Sequence, residues 1–276
     1  MAFKSSILVP TDFSEKSEIA IRYACEIAAC TGAEILFMNV VEPPYDFPSR
    51  IEEVVASKKK AAVNKLTKII DDLHSVDEFR FIRMKGKVEV GKVDTAILEV
   101  IRSEDFDLIC VGLGGEHDLK KALYGSITNT LLLESDIPVF AISKRIDFRS
   151  PKQLVFATDL RKNDLEIIHQ MESFAKDLGV KFRIINIVGD LDSNQKKVEA
   201  FTQEIRDLTK NRSIEIEQYE GDSFLEGITK LIGSDSRTIL VTTRYKKTLL
   251  EWLFTKSNAR VLATIAEVPL LLIPVD

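Results

Sequence analysis

The chain repeats itself, and the repeat constrains its fold more than any single residue does. Val9-Pro10-Thr11-Asp12-Phe13 returns as Phe156-Ala157-Thr158-Asp159-Leu160. Leu108-Ile109-Cys110-Val111 returns as Thr238-Ile239-Leu240-Val241. Asp136-Ile137-Pro138-Val139-Phe140-Ala141-Ile142 returns as Glu267-Val268-Pro269-Leu270-Leu271-Leu272-Ile273. Three landmarks in one order point to duplication, and 276 residues suit two domains better than one. The charged stretch from Lys144 to Pro151 reads as the linker between a domain at 1–146 and a second at 151–276.

Within the first copy, apolar runs of strand length alternate with segments of helical period. Ile7–Val9, Ile35–Val41, Phe79–Met84, Leu108–Val111 and Ile137–Ile142 read as strands. Ser17–Ala29, Arg50–His74 and Asp94–Arg102 read as helices, with another from about Thr130 to Leu133. The order β-α-β-α-β-α-β-α-β predicts an α/β domain, with a parallel sheet and helices on both faces.

Glycines punctuate the end of the fourth strand. Val111-Gly112-Leu113-Gly114-Gly115 is followed by nine residues, Glu116 to Tyr124, and then by Gly125-Ser126-Ile127-Thr128. Glycines after a strand let the backbone approach a ligand closely. A Gly-Ser step opening a helix offers unpaired N–H groups at the positive end of the helix dipole, which suits a phosphate. In an open α/β sheet, ligands gather beyond the carboxyl ends of the strands where strand order reverses. Asp12 follows the first strand, Val40 closes the second and Gly112 follows the fourth, so all three fall on one edge.

The duplication is unequal. Where the first copy has Gly112, Gly115 and Gly125, the second has Thr242, Tyr245 and Thr255 or Lys256, with Trp252-Leu253-Phe254 adding bulk. A β-carbon where the backbone needs positive φ costs about 1 kcal/mol or more and fills space meant for phosphates. The second motif is therefore expected to be degenerate. Leu249, Leu250, Trp252, Leu253 and Phe254 read as core or interdomain packing, or else as an apolar pocket or partner surface.

Other features narrow the function classes. A net charge of −5 argues against a nucleic-acid surface. No run of about 18 apolar residues suggests a membrane span. The opening Met1–Ser6 goes directly into a strand, without the apolar run of a signal peptide, so a cytoplasmic location is expected. Cys25, Cys30 and Cys110 lack zinc-type spacing and read as small buried hydrophobes, with Cys25 and Cys30 on different faces of one helix. His74 and His169 read as structural, and His117 as an exposed loop residue. Lys120 and Lys121 read as solvated loop lysines that could also face phosphate. Tyr45 and Phe47 belong to a Pro-rich loop that could close over a base. Asp12-Phe13-Ser14-Glu15 has the form of a capping box, in which either Asp12 or Ser14 could cap the first helix, and for Asp12 capping is compatible with facing a ligand. Ser126 and Thr128 share that ambiguity.

Gly112, Gly115, Gly125 and Ser126 together resemble the signature of the universal stress protein family: a glycine, two residues, a glycine, nine residues, then Gly-Ser or Gly-Thr. Ile7-Leu8-Val9-Pro10-Thr11-Asp12-Phe13-Ser14 and Ile137-Pro138-Val139 are similar to the family's first and last strands. The first half carries the resemblance strongly and the second by its framework, as in tandem two-domain members. The resemblance implies two Rossmann-like domains of the adenine nucleotide alpha hydrolase type, each with five parallel strands, paired about a pseudo-twofold axis as an intramolecular dimer. A further homodimer remains open. It also implies ATP, with or without Mg2+, at the strand ends of the first domain. Asp12 and the Val40 backbone would face adenine, and Pro10 and Gly112 would line the ribose region. Gly115, Gly125, Ser126 and Ile127 would hold the phosphates, and Thr11, Val111 and Thr128 complete the nucleotide-binding set.

Three function classes follow. The first is a regulatory ATP-binding protein of the stress response, coupling nucleotide level to an unidentified protein partner without obligatory turnover. The second is a slow ATP hydrolase, since bound metal can activate water. Against other ATP chemistry, no Walker pattern occurs, and Pro10-Thr11-Asp12 stands where adenylating enzymes place a glycine-rich loop. The third is a scaffold whose non-nucleotide ligand or partner lies in the second half.

Overall fold

A computed structural model describes residues 3–44, 51–113, 127–143, 150–189, 191–221, 227–228, 231, 237–245 and 268–275. The chain divides into two compact units, Phe3–Lys144 and Arg145–Asp276.

In the first unit, β1 (Ser6–Pro10), α1 (Glu15–Thr31), β2 (Glu34–Val41), α2 (Ile51–His74), β3 (Met84–Val90), α3 (Val93–Ser103), β4 (Leu108–Leu113), α4 (Ile127–Glu134) and β5 (Val139–Ser143) alternate as expected. The strands lie in the order β3-β2-β1-β4-β5, and each pairing is parallel. Central strands are apolar throughout because both faces are covered: Ile7, Leu8 and Val9 in β1 and Leu108, Ile109 and Cys110 in β4 have no exposed surface. Ala20, Tyr23, Ala24 and Ile27 form the buried face of α1, and the Tyr23 ring meets Phe140 of β5 edge to face. Gly32 ends α1 in the left-handed conformation at φ 78°, donating its N–H to the Ala28 carbonyl.

The third strand lies later than the apolar run Phe79–Met84 predicts. Phe79 and Ile82 are buried in a turn instead, where the Ile82 carbonyl accepts from His74 Nε2 at 3.1 Å. Strand β3 is Met84-Lys-Gly-Lys-Val-Glu-Val, in which only Val88 is buried. It occupies the sheet edge, where one charged face is tolerated and discourages pairing with another chain.

The second unit contains β6 (Gln153–Ala157), α5 (Asp164–Asp177), β7 (Lys181–Val188), α6 (Leu191–Thr209), β8 (Ile216–Glu220), β9 (Thr238–Tyr245) and β10 (Leu270–Val275). Its strand order is β8-β7-β6-β9-β10, again parallel throughout. Val155, Ile185, Leu240, Val268 and Leu270 centre its core. Each unit is thus a Rossmann-like α/β layer of five parallel strands with the same topology.

Candidate functional site

Strand order in the first unit reverses between β1 and β4, and beyond the carboxyl ends of these strands a cleft of about 200 Å3 opens. Pro10, Thr11 and Asp12 enter it from β1, Val40 from β2, Val111 and Gly112 from β4, and Ile127 and Thr128 from the start of α4. Those are the described members of the residue set expected from the sequence. Gly115, Gly125 and Ser126 lie outside the described residues, as do Tyr45, Phe47, His117, Lys120, Lys121, the Leu249–Phe254 cluster and Thr255 and Lys256, expected to match Gly125; Tyr245, expected to match Gly115, ends β9 and pairs with Val275. Ser14, Lys16, Ser17, Asn39 and Val93 line the cleft as well and were not singled out as ligand contacts.

A buried hydroxyl network holds the turn after β1. Thr11 takes its place by donating its N–H to the Met38 carbonyl (2.8 Å), while Asn39 donates Nδ2 to the Thr11 carbonyl (2.7 Å). The Thr11 hydroxyl donates to Ser17 Oγ (2.8 Å) and accepts the Phe13 N–H (3.0 Å). Ser17 Oγ in turn donates to the Ser14 carbonyl at 2.8 Å. Phe13 pays for this closure with a left-handed backbone, φ 64°, which a β-carbon makes unfavourable by roughly 1–2 kcal/mol. Asn39 had a visible signal: it follows Thr11 by the same interval as Asn186 follows Thr158.

Neither Asp12 nor Ser14 forms the capping box that the sequence suggests. Ser14 stands at the N-cap without a side-chain cap, and its carbonyl starts the helix by accepting from Ser17 and Glu18. Asp12 closes a local turn, accepting the Ser14 N–H at 3.0 Å together with the Ser14 hydroxyl. Partial burial raises the Asp12 carboxyl, but the Ser14 hydrogen bonds outweigh it and hold the group below the usual carboxylate range. Asp12 is therefore an ionised acceptor at neutral pH, suited to N–H or O–H donors of a ligand.

Gly112 is required for a different reason from the one its spacing suggested. Its φ is not positive; a β-carbon there would collide with the Lys16 carbonyl oxygen and come within 3.0 Å of Lys16 Cβ. Glycine lets the first turn of α1 lie directly on β4. Thr128 Oγ1 donates to the Gly112 carbonyl (3.3 Å), joining the start of α4 to the same point.

The second unit keeps the scaffold and alters the contents. Thr158 bonds the Ile185 carbonyl through its N–H (2.9 Å), Asn186 Nδ2 bonds the Thr158 carbonyl (2.8 Å), and the Leu160 N–H bonds Thr158 Oγ1 (2.8 Å) at a left-handed φ of 57°. Strand pairing shifts the expected correspondence by one residue. Ile7 pairs with Leu108 and its counterpart Leu154 with Ile239, so Gly112 is matched by Thr243 rather than Thr242. The buried Asp164, matching Ser17, accepts from Thr158 Oγ1 (2.6 Å), and Thr243 Oγ1 donates to it at 3.4 Å. Helix α5 begins there, two residues later relative to the turn than α1 does, leaving room for the Thr243 side chain.

Elsewhere, a hollow of about 460 Å3 around Glu172, Arg183 and Asn211 lies at the amino ends of β7 and β8, away from the motif. Cys25 and Cys110 are buried, and burial pushes the Cys25 thiol up to about 12 and that of Cys110 higher still. Cys30 departs from expectation in being exposed. His169 is exposed on α5. Among the described residues, no group of three or more His, Cys, Asp or Glu is placed to hold a metal ion. No helix among them is long and apolar enough to cross a membrane.

Similarity to known proteins agrees with this geometry. A universal stress protein of Methanocaldococcus jannaschii is 26% identical over 157 residues, covering 50% of this chain and 94% of that protein. A second from the same organism is 25% identical over 145 residues, covering 50% and 81%. The crystal structure of a universal stress protein from Archaeoglobus fulgidus superposes with a TM-score of 0.75 at 18% identity, covering 98% of each chain, and so shares the fold. The family model for universal stress proteins matches residues 5–143, which contain the whole first-unit cleft, and the chain belongs to the universal stress protein family.

Proposed function

We propose that this protein is a regulatory ATP-binding protein of the stress response, with one nucleotide site in the first unit and a degenerate copy in the second. The observation that carries the reading is the convergence of Pro10, Thr11, Asp12, Val40, Val111, Gly112, Ile127 and Thr128 on one cleft at the reversal of strand order. Asp12 and the Val40 backbone would receive adenine, and the ribose would lie against Pro10 and Gly112. Phosphates are assigned to Gly115, Gly125, Ser126 and Ile127. The residues present fit such a ligand: Gly112 lets the first turn of α1 lie on β4 and so brings Lys16 to the cleft wall, and Asp12 supplies an ionised acceptor. A volume of about 200 Å3 suits a base and its sugar, with the phosphates directed out of the cleft. Binding would then bias an exposed surface toward one conformation and so couple nucleotide level to a partner.

Isothermal titration calorimetry with ATP tests the reading. One equivalent per chain is expected. Absence of binding would remove the nucleotide site, and two equivalents of similar affinity would remove the distinction between the copies.

A further inference from the structure

The cleft contains a charge that the nucleotide assignment leaves unused. Lys16 lines the cleft, is half-buried, and forms no ion pair among the described residues. It occupies the first turn of α1, at the positive end of the helix dipole, where a cation is disfavoured and carboxylates such as Glu15 and Glu18 are preferred. A half-buried ammonium with no ion-pair partner among the described residues is, in that place, a poor choice for helix stability alone. The contact with Gly112 also fixes where the side chain starts, because the Lys16 main chain lies directly against β4 at its carboxyl end.

The second unit supplies a built-in control. Thr11, Asn39 and the left-handed apolar residue all recur there, as Thr158, Asn186 and Leu160. Counting from the shared threonine, Lys16 becomes Asn163 and Ser17 becomes Asp164. Next to the position where Gly112 becomes Thr243, the ammonium is thus replaced by a neutral side chain and the hydroxyl by the buried carboxyl of Asp164, while the Ser14 position becomes Arg161, whose guanidinium lies 3.7 Å from Asp159. The main-chain scaffold is retained, while the ammonium beside the contact of α1 with β4 is not kept in the second copy.

We infer that Lys16 is a specificity-determining residue of the first-unit cleft. Its ammonium neutralises the phosphate of the bound nucleotide, so the site selects phosphorylated adenine compounds over adenosine. This inference rests on the nucleotide reading proposed above. Attraction between opposite charges at a half-buried surface is of the size that changes affinity about tenfold, whereas adenosine carries no charge to be attracted.

The test is calorimetry of ATP, AMP and adenosine on the full chain, for wild type, Lys16→Met and Lys16→Arg. Lys16→Met is expected to weaken ATP and AMP about tenfold and leave adenosine unchanged, while Lys16→Arg restores most of the loss. Raising the salt concentration should weaken ATP binding to wild type more than to Lys16→Met. Equal weakening of all three ligands would assign Lys16 to the shape of the cleft, and unchanged ATP affinity in Lys16→Met would remove its role; either overturns the inference and leaves the nucleotide site standing. Wild-type protein that binds none of the three ligands overturns both.

Discussion

The turn after β1 and the turn after β6 have the same skeleton and opposite contents. In each, a threonine hydroxyl accepts the N–H of an apolar residue held in the left-handed region, and an asparagine from the neighbouring strand secures the threonine carbonyl. These bonds involve the main chain, so they set the path of the chain whatever occupies the cleft. The side chains aimed at the cleft have diverged: Ser17 against Asp164, Lys16 against Asn163, Gly112 against Thr243. The comparison separates what builds the edge of the sheet from what the edge is used for. Backbone-anchoring residues persist in both copies, as Asp12 does in Asp159, while the residues around the approach of the helix to the fourth strand of each unit change together.

The largest test of this division is Gly112→Ala. Its new β-carbon meets main chain rather than a flexible side chain, so α1 must move off β4. A loss of about 3 kcal/mol is expected, together with loss of ATP binding. Urea denaturation and calorimetry on one preparation measure both. Thr243→Val exchanges only a hydroxyl for a methyl at the matching place and should cost about 1 kcal/mol. Similar stability losses at the two positions would mean that the close approach in the first unit is not what demands glycine.

Next in size is the paired substitution Asn39→Ala and Asn186→Ala. Each leaves a buried carbonyl, of Thr11 or Thr158, without its side-chain donor, at a cost of about 2 kcal/mol. The two losses should be alike, because the bonds are alike at 2.7 and 2.8 Å. Only Asn39→Ala should also weaken ATP binding. If Asn186→Ala were silent, the scaffold would not be common to both copies.

Much of this was legible in the sequence, for definite reasons. Strands with both faces covered become continuous apolar runs, so β1, β2, β4 and β5 stand out, and their order with the intervening helices dictates a parallel sheet. Strand β3 was misplaced because an edge strand needs few apolar residues: Lys85 and Lys87 face carboxylates of Glu34 and Glu104, while the nearby apolar Phe79 and Ile82 close a turn. Candidate cleft residues could be picked out because strand ends at a topological switch converge. The true counterpart of Gly112 could not, since Thr242 and Thr243 are chemically identical and only strand pairing fixes the register. The reason for Gly112 was hidden as well, because a close contact between main chains leaves no mark in composition.

The smallest effect concerns the sheet edge, where the copies also part. Arg183 of β7 matches Leu36 of β2 and donates Nε to Glu217 Oε1 at 2.8 Å, while Tyr219 donates its hydroxyl to Glu217 Oε2 at 2.6 Å. The hydrogen bond from Arg183 is the main cause holding the Glu217 carboxyl down to about 2. A carboxyl lowered on folding contributes stability that is complete above its unfolded value, about 4.3, and is lost as pH falls from there through its folded value. Glu217 is partly exposed, so water screens the pair and reduces its worth to about 1 kcal/mol. Urea midpoints of wild type and Glu217→Gln should therefore differ at pH 7, begin to converge below about pH 4 and meet only near pH 2. Leu36→Met in the first unit, an apolar exchange of similar volume, should show no such convergence, since it removes no titrating group. A gap for Glu217→Gln that stayed constant with pH would assign the Arg183 cluster to packing alone and leave the two edges different in shape rather than in charge.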